Sequence, residues 1–274
     1  MLGFPNPLFG KQAAGGGSGG GSDFDPATLF ASGEKGVWFD VADLSSIFQD
    51  EAGSIPAAVD SPVGRVNDKS GNGHHAVQAT AAKRPVLRHA GGIYWLEFDG
   101  AGDALATANL SLAAHVSATT LVGFRPSGTA LGMIQELSAD INAHKGFFQV
   151  VNYPAVGKLA VAVNSNGIDQ METSAAGYGS GVTSLLTVSM DFSLQAAASQ
   201  IVPRINGATG LFTASVDQAD NSTMFDDKPL FIGGRGGSSL YFAGRIHGLI
   251  ARFPAMSASE IIGAESWLRQ KAGL

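Results

Sequence analysis

The sequence predicts an all-β protein: a two-sheet antiparallel sandwich with a short helix near its start, a second helix at its end and an extended peptide in front. Three observations predict it. Short apolar or alternating runs recur from Gly36 onward, among them GIYWLEF, ATTLVGF, GFFQVV, KLAVAV, SLLTVSMDF, QIVPRI, PLFIGG and RIHGLIARF. Each has strand length and is rich in β-branched and aromatic residues. Turn formers such as NSNG, INGATG and GGRGG separate them, and no strand–helix–strand alternation of a doubly wound sheet is visible.

The elements follow in chain order. Residues 1–14 are too few to bury a core, yet they carry Leu2, Phe4, Leu8 and Phe9 beside Pro5 and Pro7. Prolines hold such a peptide extended, which lowers the ordering cost of docking into a groove. Leu2, Phe4, Pro5, Leu8 and Phe9 are therefore the candidate anchoring residues toward a partner protein. Residues 15–22 are glycine and serine alone, a flexible coil spanning on the order of 15 Å. Such repeats are also typical of laboratory linkers, but the tip carries no affinity tag. Residues 23–274 form one domain, with no internal repeat and no second linker.

DVADLSSIFQD reads as the short early helix, with Asp40 or Asp43 as its N-cap. SASEIIGAESWLRQKAGL reads as the closing helix. Ser257 and Glu260 have capping-box spacing, Ile261, Ala264 and Leu268 share a face, Arg269 and Lys271 fall in the last turn, and Gly273 ends it.

Composition bounds the function. Of 274 residues 45% are hydrophobic and 15% charged, so a single large core needs no staples. There is no cysteine, which excludes disulfides, thiolate metal sites and cysteine nucleophiles. The net charge of −6 comes without a basic block, so nucleic acid is not expected as a ligand. No apolar run reaches the ~20 residues of a membrane helix, and no signal-peptide pattern opens the chain. Neither a membrane nor the usual export route is expected.

GVWFDVADLSSIFQDEAG, PVGRVNDKSGNGHHAVQAT, KRPVL and WLEFDGAGDAL, followed by PLFIGGRGGSSLYFAGRIHGLIAR and the terminal helix, resemble the laminin-G-like, concanavalin A-like domains of tailed-phage virion proteins. The resemblance covers residues 24–274. It implies a two-sheet jelly roll in a structural or adsorption component of a virion assembled in the bacterial cytoplasm. It also implies attachment to other virion proteins through the N-terminal peptide, and a body that self-associates under the particle's symmetry. The alternative within the same resemblance is a module that binds a host-surface glycan; the third is a glycan-cleaving enzyme.

Candidate sites are sparse. Retaining glucanases of this fold carry E-x-D-x-E on one strand face, two of the carboxylates acting at about 5 Å. Here Glu97, Phe98, Asp99, Gly100 and Ala101 lack the third acid, and Asp99 reads as a strand-end turn residue. No catalytic residue is assigned and the protein is not expected to be an enzyme. Asp68, His74 and His75 in DKSGNGHHA read as a structural turn, because adjacent histidines on a strand face opposite ways. No cofactor is expected. Calcium is held by relatives of this fold, which makes Asp99, Asp103, Asp226 and Asp227 its candidate ligands, without a complete set in either stretch. Asn152, Tyr153, Tyr178 and Tyr241, with Asn166, are the candidate glycan-binding residues, since tyrosine can stack and asparagine can bond hydroxyls. Arg235, in GGRGG, reads as part of a hairpin rather than a phosphate loop.

Overall fold

The computed structural model describes residues 24–138, 145–153, 155–164, 169–174, 178–216 and 225–274. The anchoring candidates Leu2, Phe4, Pro5, Leu8 and Phe9, and Asn166, lie outside the described residues.

Two antiparallel sheets face each other. The seven-stranded sheet contains β1 (Lys35–Asp40), β5 (Val86–Ala90), β6 (Ile93–Asp99), β8 (Ser117–Pro126), β13 (Ser184–Asp191), β14 (Ile201–Ile205) and β17 (Ala243–Phe253). Its order is β14-β13-β8-β17-β6-β5. The long β17 pairs with β8 on one side; on its other side β6 takes residues 243–246 and β1 takes residues 248–253. The ten-stranded sheet contains β2 (Ile47–Phe48), β3 (Arg65–Val66), β4 (Ala76–Val77), β7 (Leu105–Leu110), β9 (Gly132–Leu137), β10 (Gly146–Val151), β11 (Leu159–Asn164), β12 (Asp169–Ser174), β15 (Phe212–Val216) and β16 (Lys228–Ile232). Its order is β15-β12-β11-β10-β9-β16-β7-β4-β3-β2. Alternate residues of both sheets, including Leu96, Phe98, Val122, Phe124, Phe147, Val161, Leu186 and Leu249, meet in the central core.

Every strand-like run read from the sequence is a strand here. The core also contains polar groups that alternation alone does not announce. Gln135 and Gln149 lie opposite each other on β9 and β10, both fully buried. Gln135 Nε2 donates to Gln149 Oε1 at 2.7 Å, and Gln149 Nε2 donates to Thr120 Oγ1 at 2.7 Å. The chain ties its sheets together through this polar bridge, since a buried amide needs partners.

Two helices were expected, and their structures differ. The short α1 (Ala197–Gln200) precedes β14, and the closing helix α2 spans Ala258–Ala272. The early expected helix is instead a 3-10 turn at Leu44–Ser46, capped by Asp43 through Ser45 N, and then β2. Asp40 ends β1. Ile47 is fully buried in the core and pairs with Val66, so strand pairing claims residues that a longer helix would need. A second 3-10 turn, Pro26–Phe30, is capped by Asp25. Helix α2 forms as the sequence predicts. Ser257 Oγ accepts from Glu260 N, Glu260 Oε2 accepts from Ser257 N at 2.7 Å, and Gly273 ends the helix with φ 71°.

Helix α2 and the Pro26–Phe30 turn cover part of the outer side of the seven-stranded sheet. Leu29, Phe30, Trp38, Leu121, Leu185, Ile250, Ile261, Ala264, Trp267 and Leu268 form a second apolar layer there. Arg252 fastens it: Nε donates to Leu29 O at 2.8 Å, and Nη2 lies 3.3 Å from Glu34 and 3.5 Å from Glu260.

Candidate functional site

The outer side of the ten-stranded sheet, away from α2, carries a row of unlike side chains. Cross-strand register builds a row on it. Phe231 of β16 lies opposite Glu136 of β9, and Glu136 lies opposite Phe148 of β10. Glu136 is fully buried, while both phenylalanines are half-buried. A carboxylate between two aromatic rings is costly unless a cation accompanies it. Arg235 supplies that charge from the loop after β16: its Nε is 3.6 Å from Glu136 Oε1, and its guanidinium lies 5.7 Å from the Phe148 ring centroid.

The loop is shaped to place this arginine. Arg235 N donates to Ser239 O at 2.8 Å, Ser238 N donates back to Arg235 O at 2.9 Å, and Tyr241 donates its hydroxyl to Gly237 O at 3.2 Å. The hairpin reading of GGRGG is correct. The sequence gives no hint of the arginine's target, because Glu136 is 99 positions earlier and only sheet register brings them together. Beside the row, Met133, Val150 and Ala160 form a small apolar layer with Leu131, Phe148 and Leu240. Met133, Val150 and Ala160 are buried, so what the row leaves partly exposed is Phe148, Phe231 and the Arg235 side chain. Both neighbours of Glu136 in its row are phenylalanine, so the row itself provides no second carboxylate for acid–base hydrolysis of a glycoside.

The structure does not gather the four residues proposed for glycan binding on this face. Tyr178 and Asn152 are buried, and they bond each other: Tyr178 donates its hydroxyl to Asn152 Oδ1 at 2.8 Å and accepts from Asn152 N at 3.0 Å. Burial pushes the Tyr178 phenol up to about 12, against the Asn152 N–H. Asn152, at φ 61°, also donates Nδ2 to Gly128 O and Ala130 O. Both side chains fasten loops at one end of the sandwich, and the Tyr178 ring has no free face for stacking. Tyr153 is 36% exposed at that end, and Tyr241 braces the Arg235 loop.

The calcium candidates are turn-forming groups. Asp99 Oδ1 accepts from the backbone N–H of Ala101, Gly102 and Asp103, and Asp103 Oδ2 accepts from Asp99 N. Burial, with Asp99 alongside and against the Asp99 N–H, pushes the Asp103 carboxyl up to about 6. Asp227 Oδ1 accepts from Leu112 N and Ala113 N, and Asp226 Oδ1 from Asp227 N. Among the described residues no group of three or more His, Asp or Glu side chains is placed to hold a metal ion. Asp68 is likewise structural: its carboxylate accepts from Trp38 N, Ser70 N, Ser70 Oγ and His74 N, while His75 Nδ1 accepts from Asp68 N. Glu97 lies on the opposite sheet, bonded by Trp95 Nε1 and 3.4 Å from Arg245 Nε.

No protein-family model and no curated protein matches the sequence. Solved structures do. The botulinum neurotoxin serotype D ligand binding domain in complex with N-acetylneuraminic acid aligns at TM-score 0.53 and 12% identity, over 86% of this chain and 52% of that one. An arabinofuranosidase complexed with arabinofuranosyl-α-1,2-xylobiose aligns at 0.53 and 12%, over 89% and 64%. The botulinum neurotoxin type G receptor binding domain aligns at 0.51 and 10%, over 74% and 48%. The chain thus spans about half to two thirds of each, and at these identities the likeness concerns fold alone. The architecture expected from the sequence is the one found: a concanavalin A-like jelly roll.

Proposed function

We propose that the protein is a non-catalytic glycan-recognition module whose site is the Arg235 row on the outer face of the ten-stranded sheet. The observation that carries this reading is the Phe231–Glu136–Phe148 row with Arg235 above it. Aromatic faces take the C–H side of a sugar ring, and a guanidinium fork bonds its hydroxyl or carboxylate oxygens. Glu136, beneath the surface, acts as a positioning residue that fixes Arg235. The fold takes a sugar in the serotype D neighbour, which supports the choice of ligand class but not of the site.

The test is retention of the full chain on immobilised bacterial polysaccharides, compared with Arg235→Lys, which keeps the charge and loses the planar fork. Retention weakened at least tenfold with unchanged melting supports the reading. No retention on any polysaccharide, or equal retention by the variant, overturns the site. Release of reducing sugar that Glu136→Gln abolishes overturns its non-catalytic character.

This reading reverses the order of the two functions drawn from the sequence. Attachment to a phage particle through residues 1–14 rests on the sequence resemblance and comes second. It predicts that the full chain co-sediments with particles lacking this protein while residues 24–274 do not; equal sedimentation of both removes the anchoring role.

A further inference from the structure

Helix α2 covers only part of the seven-stranded sheet. At Gly123 of β8 a Cβ would lie 3.3 Å from Leu268 and 3.4 Å from Ala272, so the last turns of the helix rest there. Two residues on, Arg125 is beyond the helix end. It stands directly opposite Arg245 of β17, and Arg245 stands opposite Glu97 of β6. Two arginines facing each other on adjacent strands repel, and one carboxylate compensates only one of them. Among the described residues Arg125 has no acidic partner.

The remaining contacts hold Arg245 in place. Its guanidinium lies 4.2 Å from the Trp95 ring centroid, and its Nε is 3.4 Å from Glu97 Oε2, which also accepts from Trp95 Nε1. Its two Nη groups have no partner among the described residues. Next to Arg245, His247 is the extra residue where the β17–β8 register shifts; it is 3% exposed. Its Nδ1 lies 3.2 Å from Tyr94 O. A carbonyl only accepts, so Nδ1 carries the proton and Nε2 is a lone-pair acceptor. Nε2 is buried without a hydrogen-bond partner.

We propose that the Arg125–Arg245 pair forms a second binding site, for the carboxylate of an organic acid such as an acidic monosaccharide. The row carries two positive charges and one negative, so a monoanion neutralises it. Guanidinium forks match the planar carboxylate, and the neutral, buried His247 beneath them adds no competing charge. The site is on the opposite sheet from the face proposed above and does not depend on it.

The test uses the three indole N–H signals of the full chain, titrated with sodium D-glucuronate, D-glucose and sodium sulfate. Glucuronate is expected to shift the Trp95 signal saturably, because Arg245 and Glu97 contact that ring, and to leave the Trp38 and Trp267 signals in place. Glucose shifts nothing and sulfate binds at least tenfold more weakly. Arg125→Gln, which removes no contact seen in the fold, weakens glucuronate at least tenfold, while Arg235→Lys leaves the titration unchanged. An unmoved Trp95 signal, an equal response to glucose, or an unaltered titration in Arg125→Gln overturns the site. Equal binding of sulfate overturns the assignment to a carboxylate.

Discussion

The two outer faces of the sandwich treat charge in opposite ways. On the helix side, Arg252 is surrounded by acceptors: Leu29 O, Pro254 O, Ala255 O, Glu34 and Glu260. Trp38 and Trp267 meet edge to face at 5.8 Å beside it, and apolar side chains fill what remains. On the open side, a single arginine is held over an aromatic row by a carboxylate beneath it. The contrast separates the helix-covered surface, which stabilises the fold, from uncovered surfaces that present groups to a ligand. Removing a group from the first should cost stability alone, and removing one from the second should cost recognition alone.

Trp267→Ala is the strongest way to break that contrast. The ring is 6% exposed, packs on Trp38, and approaches Gly248 closely enough that a Cβ there would sit 3.6 Å away. Truncating a buried tryptophan costs about 3–5 kcal/mol, which lowers the melting temperature by roughly 10 °C in a domain of this size. Polysaccharide retention measured well below the new midpoint is expected to stay at the parent level. Retention that falls in step with melting would mean that the faces are coupled through the core, and the division of labour drawn above would fail.

That division was only half legible in the sequence. The fold-building side was readable because its signals are local: Ser257, Glu260 and Gly273 mark the ends of α2, and Ile261, Ala264 and Leu268 recur at helical spacing. The strands were readable because turn formers bracket them. The early helix, capped by Asp43 as expected, is shorter than its sequence suggests because Ile47 pairs with Val66 of β3, a contact across 19 positions that overrides local propensity. The candidate site was hardly legible at all. Glu136, Phe148 and Phe231 become neighbours through register between three strands, and Arg125, Arg245 and Glu97 through register between three others. Tyr178 and Asn152 looked like surface groups because loops usually are; their burial follows from a mutual hydrogen bond between two loops 26 residues apart.

Titration sharpens the comparison further. Under the helix, burial opposes the charged forms of Glu34 and Glu260, but backbone N–H donors and Arg252 overcome it and lower both carboxyls. Their stabilisation is present above the unfolded value of 4.5 and lost only as the pH falls below it. Two groups away from the helix act between pH 6.5 and 4, with opposite signs. Asp103, raised by burial from 3.8 to about 6, binds its proton more tightly in the folded state, so the fold gains stability as the pH falls through 6. His247 is lowered from 6.5 to about 4 by burial, against the Tyr94 carbonyl and with Arg245 and Arg125 adding to the effect. It resists protonation when folded, so stability is lost as the pH falls from 6.5 toward 4. Each effect is on the order of 2 kcal/mol, and they nearly cancel. His75, lowered by burial with Arg65 adding and Asp68 opposing, contributes a loss of the same sign as His247, so the parent protein should melt slightly lower at pH 4.5 than at pH 6.5. Asp103→Asn keeps an acceptor for Asp99 N and removes one of the opposing groups, so its melting temperature should fall across that interval. His247→Gln removes the other, and its melting temperature should rise on acidification. Parallel profiles for the parent and both variants would show that neither group titrates differently in the folded chain, and the opposed signs assigned to Asp103 and His247 would fail.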